Sequence, residues 1–278
     1  MKRDGRGEQF HIVVCVKQVP AGAQAKIDPV TKTLVRSAGA SILNPYDTFA
    51  VEAALQIRDE LAEKSDVQIT ALSMGVPSVE TLLKDLAARG VDGGVLLTDK
   101  AFAGADTIDT SYTLALGVRE IEKQNGPVSL VICGHMAVDG DTAQIGPELA
   151  QTLDLPHVAN VMRIEEVNPD EGFAIVSCIA AEGRQTLKLQ LPALITVSKD
   201  INVPRLPSIA GIRRAEHVNI RKLGAEDVNA DPDKIGLKGA ATKVVRTFTP
   251  DFGNSAERIT GNAASCAEQV REVLGRIL

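Results

Sequence analysis

The densest run of groups able to hold a small ligand is C-G-H-M-A-V-D-G-D-T-A-Q-I-G-P at 133–147. It joins an apolar, β-branched run to a helical pattern through two glycines, two aspartates and a threonine. The free backbone N–H groups and positive dipole end of a helix N-terminus attract an anion, so this is where a nucleotide phosphate would sit. On a helix expected from about Thr142 to Leu153, Gly140 would let the backbone approach closely and Thr142 would offer a hydroxyl. Aspartates repel phosphate. Asp139 or Asp141 is therefore expected to cap the helix, or to accept a hydrogen bond from a ribose hydroxyl or a backbone amide. An ordinary capped strand-to-helix turn accounts for D-G-D-T alone equally well.

A second cluster, D-K-A-F-A-G-A-D-T-I-D-T-S (99–111), follows another strand-like run, with Gly104, Ala105, Asp106 and Thr107 leading into a helix. V-K-Q-V-P (16–20) and S-M-G (73–75) follow two more. Four loops of small or polar residues after four strands fit the rule that open α/β sheets bind ligands outside their carboxyl ends. No G-x-G-x-x-G, P-loop or G-x-S-x-G occurs, which sets aside the ordinary dinucleotide fingerprint and weakens hydrolase readings. The four histidines lie far apart, and only His135 is near a candidate site. A chain rich in binding groups but poor in acid, base or nucleophile leaves the chemistry to a cofactor.

The elements that must position these loops read as α/β. Strands are expected at 12–16, 67–73, 94–98 and 128–133, the first and last apolar throughout, as burial between two helix layers requires. The first helix should start at Asn44, with Pro45 at the first helical position, and a second should run from near Ser78 to the Gly90 stop. A third is expected from about Asp106 to Lys123. Beyond Pro156, strand-like runs near 158–167, 173–179, 186–191 and 193–198 should extend the sheet with antiparallel members. From Asp200 the pattern loosens until the amphipathic segment 255–278, which would either pack on its own domain or grip another subunit. The expected fold is Rossmann-like and doubly wound, with a mainly parallel sheet and an extended C-terminal arm. The expected divisions are a solvated extension (1–10), a nucleotide-binding domain (11–200), and a docking loop with arm (201–278).

With 36 acidic and 30 basic side chains in 278 residues, the formal charge of −6 excludes general attraction to nucleic acid or anionic membranes. No run of about 18 apolar residues occurs, so no membrane span is expected. Three of the four cysteines, Cys15, Cys133 and Cys178, sit in apolar runs and read as small core residues. No cysteine or histidine spacing suits a metal, and a reducing, cytoplasmic setting is expected.

V-V-C-V-K-Q-V-P (13–20), N-P-Y-D-T-F-A-V-E-A-A-L (44–55), the S-M-G turn and V-D-G-D-T-A-Q-I-G-P-E-L-A (138–150) resemble, in order and spacing, the β subunit of electron-transfer flavoproteins. The resemblance implies a heterodimer whose α subunit holds an electron-carrying FAD and is gripped by the C-terminal arm of the β subunit. By matching position, the nucleotide meets Cys15, Asn44, Pro45, Tyr46, Asp47, Met74, and the loop Met136, Ala137, Val138, Asp139, Gly140, Asp141, Thr142, Ala143, Gln144, Ile145 and Gly146. The segment N-V-P-R-L-P-S-I-A-G-I (202–212) resembles the loop that docks an acyl-CoA-type dehydrogenase, with Ile209 as its apolar anchor. The A-F-A-G-A-D-T block looks like the electron-bifurcating branch, although Lys100, His135 and Met136 depart from its usual residues. In that branch the β subunit holds FAD and takes electrons from NADH, with Gly104 leaving room for its approach. One electron then goes through the α-subunit flavin toward the dehydrogenase, and the other to ferredoxin or flavodoxin. Ordinary members hold AMP instead, and a nucleotide-sensing domain without a redox role is the alternative of another class.

Overall fold

The computed structural model describes residues 9–21, 41–245 and 258–277; the extension expected at 1–10 lies almost wholly outside them. Eleven strands and seven α-helices are described. In chain order they are β1 (Phe10–Cys15), β2 (Gln18–Pro20), β3 (Ser41–Leu43), α1 (Pro45–Leu61), β4 (Val67–Met74), α2 (Val79–Arg89), β5 (Gly93–Leu97), α3 (Thr107–Asn125), β6 (Leu130–Gly134) and α4 (Ile145–Leu153). They continue with β7 (His157–Asn168), β8 (Phe173–Ala180), β9 (Gly183–Gln190), β10 (Ala193–Val197), α5 (Ile209–Ala215), β11 (Ile220–Leu223), α6 (Gly236–Gly239) and α7 (Ala263–Ile277).

Nine strands form one sheet in the order β11-β5-β4-β1-β6-β10-β7-β8-β9, and β2 pairs with β3 apart from it. All neighbours from β11 to β7 run parallel; the β7–β8 and β8–β9 pairs are antiparallel. The antiparallel additions expected after Pro156 are thus confined to the hairpin β8–β9, because β10 inserts parallel between β6 and β7. The sheet also runs past residue 200: β11, with the sequence I-R-K-L, pairs along β5.

Alternation along β1 sends Ile12 and Val14 to one face, against Ala50, Ala54 and Leu61 of α1 and Leu83 and Leu86 of α2. Val13 and Cys15 go to the other face, against Leu114 and Val118 of α3 and Leu149 of α4. Side chains such as Ile12, Leu55 and Ile132 are fully buried, each contributing about 1.5–3 kcal/mol. The chain leaves β1 through α1 to β4 and β5 on one side, then returns through α3 to β6 on the other. The connections part between β1 and β6, which is the topological switch point where such sheets open a crevice.

The chain divides into two units, to Lys243 and from Val244. In the second, α7 carries Val270, Val273 and Leu274 on an amphipathic, largely exposed helix. No described helix is long and apolar enough to cross a membrane.

His11, buried at the amino end of β1, shares a 2.9 Å hydrogen bond between Nε2 and Thr70 Oγ1. Burial lowers its pKa below the ordinary 6.5 and outweighs the opposing charge of Asp92. The unfolded chain then binds the extra proton first, so stability is lost as pH falls from about 6.5. Urea titrations at pH 7.5 and 5.5 should show this loss in the wild type, at most about 1.4 kcal/mol per pH unit. It should be smaller in His11→Gln, which does not titrate; equal losses in both would free His11 of the effect.

Candidate functional site

The crevice is built around one buried carboxylate. Asn44 and Pro45 start α1 as expected, but the Asn44 side chain does not cap the helix. Its Oδ1 accepts from Val138 N at 3.1 Å, and its Nδ2 donates to Met136 O at 2.9 Å and to Asp47 Oδ1 at 2.8 Å. A buried amide that mimics a strand edge thus holds the loop after β6. Asp47, in the first turn of α1, accepts from Lys17 N through Oδ2 at 2.7 Å. Burial pushes the Asp47 carboxyl up to about 7, against the pull of hydrogen bonds from Asn44, Lys17 N and Gly134 N. A Cβ on Gly134 would collide with Asp47 Oδ1 and with the backbone of Tyr46, so only glycine lets α1 come this close to the end of β6.

Cys15 and Cys133 are register partners on β1 and β6, both buried beneath this junction. A hydrogen bond that the Cys133 thiol gives to Cys15, together with burial, pushes that thiol well above its ordinary value. Met74 closes β4 beside them, partly buried on the same face. Tyr46 meets the His135 ring edge-on at 5.9 Å between centroids. These two rings enter a cleft of about 150 Å³ lined also by Asn160, Met162, Ser198 and Lys199.

The loop from Met136 to Gln144 departs from the expected helix start. Residues 137–141 form a turn in which Gly140 N and Asp141 N donate to Ala137 O at 3.1 and 2.8 Å. Asp141 and Ala143 take left-handed conformations, φ 49° and 53°. The helix begins at Ile145, three residues later than expected, because these left-handed residues interrupt any right-handed turn. Neither Asp139 nor Asp141 caps it: the N-cap is Gln144, with no side-chain capping bond. Asp139 pairs with Lys17 Nζ at 2.7 Å, across the crevice mouth. Ala143 left-handed followed by Gln144 at φ −95°, ψ −29° is the succession of conformations that makes a backbone nest, and it stands directly before a helix without a side-chain cap. Val138, Gly140 and Thr142 are exposed around it, and Gly146 is buried against Thr196 in the first helical turn.

The second cluster is brought alongside by hydroxyls. Thr107 Oγ1 donates to Glu148 Oε1 at 3.0 Å and Ser111 Oγ to Glu148 Oε2 at 3.1 Å, tying the start of α3 to α4. Asp106 caps α3, accepting from Asp109 N at 3.1 Å. Gly104, at φ 80°, does not face open space. Leu237 of α6 lies on it, and any Cβ there would strike Leu237 Cγ. The room expected at Gly104 is filled by the chain's own later segment, while Ala105 is half-buried beside it. That segment is anchored where Ala225 N donates to Asp99 Oδ2 at 3.0 Å and Thr242 N to Asp106 Oδ2 at 2.9 Å.

Sequence reasoning did not single out Lys17 or Glu148. A lysine two residues beyond a β-branched run and a glutamate in a first helical turn are the signals that would have found them. Among the described residues no group of His, Cys, Asp or Glu could hold a metal.

A mostly parallel nine-stranded sheet covered by helices, with a topological switch between β1 and β6, defines a doubly wound α/β protein. Residues 31–228 match the electron transfer flavoprotein domain. The chain is 40% identical over 266 residues to an electron transfer flavoprotein subunit beta of Thermoanaerobacterium thermosaccharolyticum, covering 95% of this chain and 98% of that one. It is 40% identical to the caffeyl-CoA reductase-Etf complex subunit CarD of Acetobacterium woodii over 97% of both chains. It is also 41% identical to the protein FixA of Bradyrhizobium diazoefficiens over 87% of this chain and 83% of that one. The chain belongs to the electron transfer flavoprotein β-subunit family, a family associated with flavin.

Asp47→Ala would leave two backbone donors and the Asn44 amide without their acceptor in a dry site, at about 1–3 kcal/mol for each donor stranded. The variant is expected to lose stability by roughly 2 kcal/mol or more in urea unfolding. A wild-type midpoint would show that the carboxylate holds nothing together.

Proposed function

We propose that this chain is the FAD-binding β subunit of an electron-bifurcating flavoprotein that takes electrons from NADH. The observation that carries the nucleotide reading is the nest at Ala143 and Gln144 in front of the uncapped α4, at the mouth of the switch-point crevice. The groups present suit a dinucleotide. The N–H groups of the nest and of Ile145 and Gly146 would receive phosphate oxygens. Lys17 would supply a cation next to them, and its pairing with Asp139 removes the repulsion that a free carboxylate would exert. The crevice floor at Cys15, Asn44 and Met74 and the rings of Tyr46 and His135 offer a partly apolar wall for a planar base. A bound FAD would supply two-electron acceptance from NADH and release of electrons one at a time, which no side chain here can do.

The bifurcating reading is supported by likeness to the CarD subunit of a caffeyl-CoA reductase complex and to FixA. In this reading the chain works with an α subunit holding a second FAD, with α7 and the chain around it gripping that partner. The exposed loop at 202–212 meets an acyl-CoA-type dehydrogenase, and a ferredoxin or flavodoxin takes the other electron. Because Leu237 covers Gly104, NADH would enter from the side of the Met136–Gln144 loop, or the 236–239 turn would have to lift.

Cofactor extraction from the purified α/β complex should yield two FAD per heterodimer, and the complex should be reduced by NADH. One FAD with one AMP would identify an ordinary carrier, nucleotide without flavin would remove the redox role, and a complex that NADH leaves oxidised would sink the bifurcating reading.

Gly140 has no atom within 4 Å of where a Cβ would lie, so Gly140→Val should fold normally. If the loop cradles the nucleotide, the side chain blocks backbone approach, and the β-site nucleotide content of the folded complex should drop by more than half on the order-of-magnitude expectation for a steric block. Full occupancy in a folded Gly140→Val complex would place the nucleotide elsewhere.

A further inference from the structure

Between Asn202 and Ala215 the chain carries four large apolar side chains in the open. Val203, Leu206 and Ile209 are 87%, 85% and 76% exposed, and Ile212 is 51% exposed. Such side chains on a free loop would fold back onto apolar surface. Here the backbone between them is held from beneath. Arg205, flanked by Val203 and Leu206, turns inward against Glu52 of α1, which is only 4% exposed. Its Nε reaches Glu52 Oε1 and Oε2 at 3.1 and 2.9 Å, and its Nη2 reaches Oε1 at 2.9 Å. Arg205 N donates to Glu52 Oε2 at 3.0 Å, and Nη2 also reaches Asp59 Oδ2 at 2.8 Å.

Further contacts extend the clamp on both sides. Asn202 Nδ2 donates to Phe49 O at 3.0 Å, and Arg89 Nη1 to Arg205 O at 3.3 Å. Ser208 caps α5 through Gly211 N at 2.9 Å, and Arg214 Nη2 donates to Ala87 O at 2.9 Å. Gly211 rides directly on the carbonyl of Ala88, where any Cβ would collide. A buried carboxylate that needs a guanidinium to be tolerated adds little net stability compared with an apolar pair. What the pair does fix is geometry: a planar, bidentate fork sets both the position and the direction of the chain that carries it.

We propose that the Glu52–Arg205 clamp pre-orders the 203–212 ridge for insertion into an apolar pocket of the partner dehydrogenase, so that Glu52 and Arg205 are positioning residues for electron transfer between the two proteins. This rests on the docking reading given above. The partner-facing groups are Val203, Leu206, Ile209 and Ile212; the clamp touches none of the partner. Its contribution is entropic, since a ridge ordered in advance loses less freedom on binding.

Removing Arg205 alone would strand a buried charge, so the informative variant is the double substitution Glu52→Gln with Arg205→Met, prepared as the α/β complex. The assay follows electron transfer from NADH to a purified acyl-CoA dehydrogenase, with ferredoxin and an enoyl-CoA as acceptors, as the dehydrogenase concentration is varied. The KM for the dehydrogenase is expected to rise about tenfold with kcat at saturation unchanged, the pattern of lost pre-ordering. Nucleotide content should stay at the wild-type level. Amide hydrogen exchange across 203–208 should quicken in the absence of any dehydrogenase, and Arg205→Lys, which keeps the charge but not the fork, should fall between.

Leu206→Ala with Ile209→Ala serves as the control on docking itself. If that control raises KM and the clamp variant does not, the clamp has no positioning role while docking stands. If neither raises KM, or the wild-type complex exchanges no electrons with the dehydrogenase, the docking reading fails and the clamp's role with it. If the clamp variant loses nucleotide or kcat instead, Glu52 and Arg205 serve the fold or the cofactor site, and the proposal is overturned.

Discussion

The architecture around the crevice depends on a single buried carboxylate that three segments of chain share. Asp47 accepts from the backbone at the end of β1 and from the Asn44 amide in its own helix entry, and it lies against the glycine that ends β6. In a parallel sheet the two strands flanking a switch point send their chains to opposite faces, so nothing in the backbone ladder holds their following loops together. The first turn of α1 does so here. Asn44 extends the same peg to Met136 and Val138, and the loop that forms the nest is therefore mounted on α1 rather than on its own strand alone. The carboxyl sits near 7 because burial disfavours its charge more than three donors favour it.

Where local pattern and tertiary context agree, the sequence alone is enough. The two-faced apolar runs of β1 and β6, the Asn44-Pro45 helix entry, and the Gly90 stop all follow from short-range sterics and burial. Elements fail to show where distant chain decides. β11 is four residues with two adjacent basic side chains at its centre, a pattern a solvated loop also has, and only pairing with β5 makes it a strand. The late start of α4 follows from left-handed Asp141 and Ala143, and alanine carries no turn signal. Asn44 reads locally as a helix cap, yet its side chain serves residues 92 and 94 positions away. The same limit hides the clamp, since Arg205 and Glu52 are 153 residues apart.

The two edge loops differ in how they are finished. The loop after β6 is exposed to solvent from Val138 to Thr142, whereas the loop after β5 is packed by the chain's own segment from Gly224 to Thr242. Asp99 takes Ala101 N and Ala225 N, and these two donors hold its carboxyl below the ordinary range. Asp106 takes Thr242, and Leu237 fills the surface over Gly104. The resemblance between the two loops in sequence, a glycine and an aspartate before a helix, therefore conceals different surroundings in space: one is exposed and the other seats a later segment of the chain.

That contrast bears on how an anion would be held. The acidic character of D-G-D-T argues against phosphate only while its carboxylates are counted as free charges. Asp139 is paired to Lys17, and Asp141 is exposed to solvent that screens it. Backbone N–H groups at the uncapped start of α4 would then act on an anion together with the Lys17–Asp139 pair. A site of that kind discriminates by geometry rather than by charge: it favours a phosphate that fits the converging donors and gives little to any other anion. Salt would screen the part of the attraction that comes from fixed short-range dipoles only weakly, and the part that comes from Lys17 more strongly. An acidic chain can in this way hold a dianionic ligand without a basic patch, provided that the loop's left-handed residues keep the donors aimed.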